Sequence, residues 1–389
     1  MTKKWSSRLT FFAFVVLMVG LGSNDSLRGI FSTIFQEHFS LTTTQLGLIV
    51  TASYIGNLVF LLVGGNLSTR FSKKRVLQVL ILIWMAALAL FAFTSNYTVL
   101  LIGMALALGS STLLNTTMNL ITPLLFATAP GFFVNFLFFT QEIGTSGSQY
   151  MLGSHADGFA FWQHTNLVLL ILGAVAFVLL LFCNVPEEAA DPADTPAQKG
   201  GYDWRIIVPY VLVFGFYFIA EHGVMNWMVA YGVDGLGLPQ ASAAKYLSVF
   251  FGGMMIGRLC LSPLVDKLGA LKSLAAFGGV SCVLYLIGSL GGAVTMPVWA
   301  ISGLSFSILY PTLVMSIRLY FPAQQVSGAA GTILSIASLA DILFNVGFGK
   351  LVDMAGYAVS IRVLPLSVLA FFIVFMLFTK FCKPTQKLK

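Results

Sequence analysis

Twelve apolar segments, each near the ~20 residues that carry a helix across a bilayer, leave this 389-residue chain few folds to choose from. Their limits read as 9–35, 43–66, 76–94, 97–126, 131–153, 165–183, 205–231, 242–264, 272–292, 295–318, 326–350 and 361–381. Only 9% of the residues are charged and 58% are hydrophobic, whereas soluble domains carry about 25% charged residues. A soluble core of this size could not hide that surface, so the sequence predicts an all-α, multi-pass membrane protein. Barrel strands are excluded, because they are about half as long and alternate in polarity. No cleavable signal is expected, since the first apolar run is too long and carries a charged pair.

The basic residues give the orientation, because cytoplasmic loops retain lysine and arginine. Sixteen of the 21 fall on the side of the N-terminus, Lys245, Lys350 and Arg362 fall on the other, and Arg28 and Arg258 lie within segments. Both termini are therefore expected in the cytoplasm, with the chain in the plasma (inner) membrane. The net charge of +7 then reads as anchoring to the inner face, not as a nucleic-acid surface. Neither the four cysteines, all in apolar segments and read as buried hydrophobes, nor the four histidines have the spacing of metal ligands. No metal and no cofactor are expected beyond a coupling proton, and the expected partners are a small-molecule substrate and the bilayer, with the chain a monomer.

One polar, acidic, proline-bearing stretch, 184–204, divides the segments six and six. It sets the expected units: an N-terminal bundle 1–183, a cytoplasmic linker and a C-terminal bundle 205–389. An offset of 197 places Arg8 on Arg205, Asn24 on Glu221, Asp25 on His222, Leu67 on Leu264, Thr69 on Asp266 and Ser72 on Gly269. The halves thus read as two pseudo-symmetric copies of one six-helix bundle, an arrangement typical of alternating-access transporters.

Ionisable groups inside spanning segments are costly in hydrocarbon and are functional candidates by default. Asp25 and Arg28 sit one turn apart in segment 1, beside Gly20 and Gly22, which either loosen the helix or admit a neighbouring backbone. The plainer alternative is that the two charges only pair with each other. Glu142, Glu221 and Asp341 lie in segments 5, 7 and 11, so with Asp25 the intramembrane acids come from equivalent segments of the two copies. A buried carboxylate can exchange a proton near neutral pH, which is the chemistry of a proton-coupled carrier. Asp341 reads equally well as a pin between helices.

Asp25 is expected to be the main proton-exchanging group, with Glu221 facing it across one cavity and Glu142 a further candidate. Asn24, Arg28, Asn115, Asn119, Gln141, His222, Asn226 and Trp227 supply the groups a polyol ligand would use: amides and charges for hydroxyls, an indole face for the ring. Trp227 would serve as well as an anchor at the outer membrane boundary, and the polar run of segment 4 as interhelical glue.

The loop Gly65-Asn66-Leu67-Ser68-Thr69-Arg70-Phe71-Ser72-Lys73-Lys74-Arg75 and its counterpart Ser262 to Lys272 resemble the cytoplasmic loop of the major facilitator superfamily, Gly-x-Leu-x-Asp-Arg-x-Gly-Arg-Lys. The first copy has Thr69 for the aspartate and Ser72 for the glycine; the second keeps Asp266 and Gly269. The resemblance implies gating roles for Arg70, Asp266 and Gly269. Asn24-Asp25-x-Leu27, Phe31, Phe35, Gln45-x-Gly47-Leu48, Tyr54 and Gly56, with Trp227, Tyr231, Ile256-Gly257-Arg258 and Tyr310-Pro311-Thr312, resemble the fucose/proton symporter branch.

That resemblance implies the twelve-helix major facilitator fold and proton-coupled uptake of a hexose or deoxyhexose, with Asp25 in proton coupling. The branch carries a glutamate in segment 4 where this chain has Asn115, an amide that cannot exchange a proton, and an asparagine in segment 5 where it has Gln141. An exporter of another small solute or drug is the nearest alternative. An intramembrane enzyme would have only His155, Asp157 and His164 in an outer loop, without a recognisable pattern, and a non-transporting sensor is further removed. No Gly-x-x-x-x-Gly-Lys loop for ATP is present.

Overall fold

A computed structural model describes residues 3–126, 130–183, 185–186 and 203–384, leaving out the side chains of 3–6, 63–70, 130–132, 135, 266, 323, 324 and 327. The expected linker lies almost wholly outside the described residues, as do the side chains of Arg70 and Asp266. Among the described residues the chain forms helices and turns without a strand.

The first six long helices are α1 (Lys3–Ile30), α2 (Thr43–Arg70), α3 (Lys73–Phe93), α4 (Tyr97–Leu125), α5 (Pro130–Met151) and α6 (Phe159–Leu181). The second six are α7 (Trp204–Ala230), α8 (Gln240–Leu268), α9 (Ala270–Leu290), a broken α10, α11 (Ala323–Ala355) and α12 (Val363–Phe381). The first segment runs on past Ile30 into a short helix, Ser32–His38, and α7 ends in a π turn, Tyr231–Gly235. Among the described residues, eleven of these elements are long and apolar enough to cross a membrane; α5, with its polar run from Thr140 to Gln149, is not among them.

In α10, three pieces (Met296–Ile301, Gly303–Phe306 and Leu309–Ser316) replace the single helix expected over 295–318. The local sequence supplies the reason. Pro297 starts the first piece, and the hydroxyls of Ser302 and Ser305 bond back to the carbonyls of Trp299 and Ser302, competing with the helical ladder. Pro311 falls in the first turn of the third piece, where its missing N–H leaves no helical acceptor unpaired.

The chain separates into two compact units, Met1–Asp191 and Pro192–Lys389. Inside the first, α1 packs on α5 and α6, α2 on α4, and α3 on α4 and α6. Inside the second, α7 packs on α11 and α12, α8 on α10, and α9 on α10 and α12. Each pair thus has its counterpart six helices later. A methyl group at Gly56 would run into the Ala105 carbonyl on α4, and at Gly253, the equivalent position of α8, it would sit 3.1 Å from the Leu304 nitrogen on α10. The two copies therefore repeat the same close crossing.

Trp84, Trp162, Phe31, Phe35 and Phe91 fill the centre of the first unit, and Tyr217, Tyr285, Trp299 and Phe306 that of the second. The outward faces are also apolar: Val168, Ile171, Val175 and Val178 form one exposed stripe along α6, as a lipid-facing helix requires. All four cysteines are free. Cys183 and Cys282 are buried and Cys382 partly so, but Cys260 lies exposed on α8, correcting the expectation that all four are interior.

The two homologous loops turn differently. Gly269 joins α8 to α9 at φ 82°, a left-handed conformation that glycine adopts without strain, and its N–H closes α8 on the Val265 carbonyl at 2.8 Å. Its counterpart Ser72 has φ −57° and caps α3 with its hydroxyl, which accepts from the Arg75 N–H at 3.4 Å. The departure at Ser72 is a change of turn, from glycine-permitted to serine-capped.

Candidate functional site

In the first unit the polar residues gather where α1, α3, α4 and α5 meet. The helix α1 stays α-helical through Gly20 and Gly22, so of the two roles open to these glycines the structure selects close approach. A methyl group at Gly22 would strike the Gln141 carbonyl, and one at Gly144 would strike the Val19 carbonyl. The crossing is further tied by the Thr145 hydroxyl donating to the Gly22 carbonyl at 3.3 Å and the Ser23 hydroxyl to the Gly144 carbonyl at 3.4 Å. This seam fixes the backbone of Gln141 against Gly22 of α1.

Gln141 ends a chain of amides. Asn119 donates its Nδ2 to Asn115 Oδ1 at 2.6 Å, and Asn115 donates its Nδ2 to Gln141 Oε1 at 2.7 Å. The first pair is one turn apart on α4, and the second bridges α4 to α5. At the far end, Asn119 Oδ1 is buried without a protein partner among the described residues, leaving an acceptor able to take a ligand hydroxyl. The relay is uncharged throughout, so at Asn115 it can orient a hydroxyl but cannot carry a proton.

Asn24 is buried, its Oδ1 accepting from the Trp84 indole N–H on α3 at 3.3 Å. The Arg28 guanidinium is buried with its carbon 5.7 Å from the centre of the Tyr54 ring. Asp25 and Glu142 are half-buried.

The second unit has two centres. Glu221 on α7 lies within electrostatic reach of the hydroxyls of Tyr217, Tyr285 and Tyr310, and Arg258 on α8 within reach of Tyr217 and Tyr310. These tyrosines come from α7, α9 and α10 and pack through Phe306, whose ring stacks 4.9 Å from Tyr217 and 5.4 Å from Tyr285. One residue on, His222 turns toward α11, where its Nδ1 lies 2.8 Å from Asp341 Oδ2. Along the same seam Trp227 donates its indole N–H to Asn345 Oδ1 at 2.9 Å, and Asn345 Nδ2 donates to the Asp341 carbonyl at 2.8 Å.

The expected site residues thus divide by exposure. Asp25, Asn115, Asn119, Gln141, Glu142, Glu221 and His222 keep partial exposure, whereas Asn24, Arg28, Asn226 and Trp227 are buried against protein. Trp227 is fully enclosed, with Phe348 4.8 Å from its ring, so it neither anchors the chain at the membrane boundary nor offers its face to a ligand in this conformation. Sequence reasoning gave no site role to Trp84, Tyr54, the three tyrosines around Glu221 or Arg258. Arg258, an ionisable residue inside an apolar segment, was the one with a usable signal.

An all-helical, multi-pass membrane protein made of two copies of a six-helix bundle, with charged and amide groups at the centre of each, has the architecture of a secondary transporter. The model of the Major Facilitator Superfamily matches residues 10–344, and the chain belongs to that family. Relatives include the L-fucose-proton symporter of Escherichia coli K12, 24% identical over 333 residues that span 74% of this chain and 75% of that one. A glucose/galactose transporter of Brucella abortus biovar 1 is 26% identical over 342 residues, 82% of this chain and 81% of that one.

Among solved structures, the D-xylose-proton symporter aligns over 99% of both chains with a TM-score of 0.78 and 16% identity. FucP in its outward conformation aligns over 96% of this chain and 99% of that chain, with a TM-score of 0.65 and 20% identity. These likenesses confirm the fold, and the relatives are transporters by name, not enzymes.

Proposed function

We propose that this protein is a proton-coupled carrier that takes up a hexose or deoxyhexose by alternating access. The observation that carries the reading is the amide relay Asn119–Asn115–Gln141, held by the Gly22 crossing against α1, the helix that carries Asp25. Amides in series match the alternating donors and acceptors of a sugar's hydroxyls, and the adjoining acid is the group able to move a proton. Relatives named for fucose and for glucose and galactose support the same substrate class. Asp25 is the main proton-exchanging group of the first unit and Glu221 its partner from the second, in place of the acid that is absent at Asn115. One proton crossing about 100 mV releases about 2.3 kcal/mol, enough for roughly 50-fold accumulation of a neutral solute.

The chain is read as a monomer in the plasma (inner) membrane, with both termini cytoplasmic and no cofactor beyond the proton. Uptake of labelled L-fucose, D-glucose and D-galactose into right-side-out vesicles tests the reading. At least one sugar should accumulate under an inward proton gradient and stop accumulating when a protonophore is added. Extrusion of a sugar instead of uptake would turn the assignment to an exporter, and indifference to all three would remove the substrate class.

A further inference from the structure

His222 and Asp341 bring two ionisable side chains of the second unit within 2.8 Å of each other, and nothing in the amide relay of the first unit does their chemistry. Asp341 is 2% exposed and His222 is 24% exposed, so the carboxylate is sealed within the unit while the imidazole keeps contact with the surroundings. Phe218 stacks on the His222 ring at 5.4 Å with 5° between planes, and the Trp227–Asn345 bonds fix the turn of α11 that carries Asp341. Among the described residues Asp341 Oδ1 is buried without a hydrogen-bond partner, and the histidine is the ionisable partner of the other carboxylate oxygen.

The ionisable groups of the adjoining centre are Glu221 and Tyr217 on α7 itself, Arg258 from α8, Tyr285 from α9 and Tyr310 from α10. From α12 the neighbour at this depth is the apolar Leu364, which a methyl group at Gly223 would strike.

We propose that His222 and Asp341 form a proton-exchanging site of the second unit, distinct from Glu221, whose charge changes during the transport cycle. With a proton on both ring nitrogens, imidazolium and carboxylate form a pair of no net charge. Loss of the Nε2 proton to water leaves a neutral imidazole whose Nδ1–H still donates to Asp341, and the pair then carries one buried negative charge. The protonated form thus favours the packed seam, and the deprotonated form favours a conformation that hydrates or screens Asp341. The inference rests on the carrier reading, but the proton chemistry is observable without any substrate.

The test has two arms on the full-length protein. In proteoliposomes, equilibrium exchange of labelled L-fucose, D-glucose or D-galactose is measured from about pH 5.5 to 8.5. Wild type should show a pH transition that Asp341→Asn loses and Asp341→Glu restores in part. An unchanged transition in a folded Asp341→Asn protein would overturn the proposal.

In the second arm, histidine-labelled protein is titrated by nitrogen NMR, with the His222 signal identified by its absence from His222→Asn. The signal should titrate within that range and be displaced by about one pH unit or more in Asp341→Asn. A His222 that does not titrate, or titrates identically without Asp341, would also overturn the proposal. If wild type exchanges none of the three sugars, the substrate reading has failed and the second arm alone decides the pair.

Discussion

Gly22 on α1 lies directly against the Gln141 carbonyl on α5, with no room for a side chain between them. The same glutamine receives the last bond of the amide relay, so helix packing and ligand geometry share one residue. Gly22→Val should push α5 away, breaking the relay and straining the crossing by about 1–3 kcal/mol. Transport should fall at least about tenfold, and the unfolding midpoint in detergent should drop by several degrees. A variant with normal uptake and an unchanged midpoint would mean that the crossing is not as tight as it stands here.

The relay makes its own forecast. Gln141→Leu leaves Asn115 Nδ2 without its acceptor, a loss of about 1–3 kcal/mol that should raise KM for the transported sugar about tenfold. A concentration series of initial uptake rates measures it. Unaltered KM would place the ligand away from α4 and α5.

Asp25→Asn should abolish accumulation driven by a proton gradient while leaving exchange of substrate across the membrane measurable. The reason is that an amide of the same shape preserves hydrogen bonding but cannot carry the proton. Glu221→Gln should weaken binding, coupling or both. Accumulation in Asp25→Asn with normal pH dependence would move the coupling group elsewhere.

Trp227 separates a packing role from a ligand role. Trp227→Phe keeps the aromatic volume but strands the buried Asn345 Oδ1, which should cost about 1–3 kcal/mol in stability. Thermal unfolding in detergent reads that loss. A raised KM with no loss of stability would return the indole to the substrate.

Lys245 and Lys350 are exposed on α8 and α11. In a background stripped of the four native cysteines, Cys placed at either position should react with an impermeant thiol reagent added from outside whole cells. Labelling only from the cytoplasmic side would reverse the orientation argued from the basic residues.

The sequence alone determined that the chain spans a membrane as helices, roughly where each begins, and that one six-helix unit occurs twice. Hydrocarbon offers no partner to a bare peptide group, so each apolar segment must satisfy its own backbone as a helix, and a run near 20 residues has little freedom beyond that. The break in α10 escaped this reasoning because serine side chains compete with the ladder only when local packing lets them. What tertiary structure decided was which residues meet: Trp84 with Asn24, Tyr54 with Arg28, Asp341 with His222, Asn345 with Trp227. These pairings depend on how each helix is rotated about its axis. In a helix whose lipid face is as apolar as its packed face, hydrophobic periodicity carries little of that information; only the contact between helices supplies it.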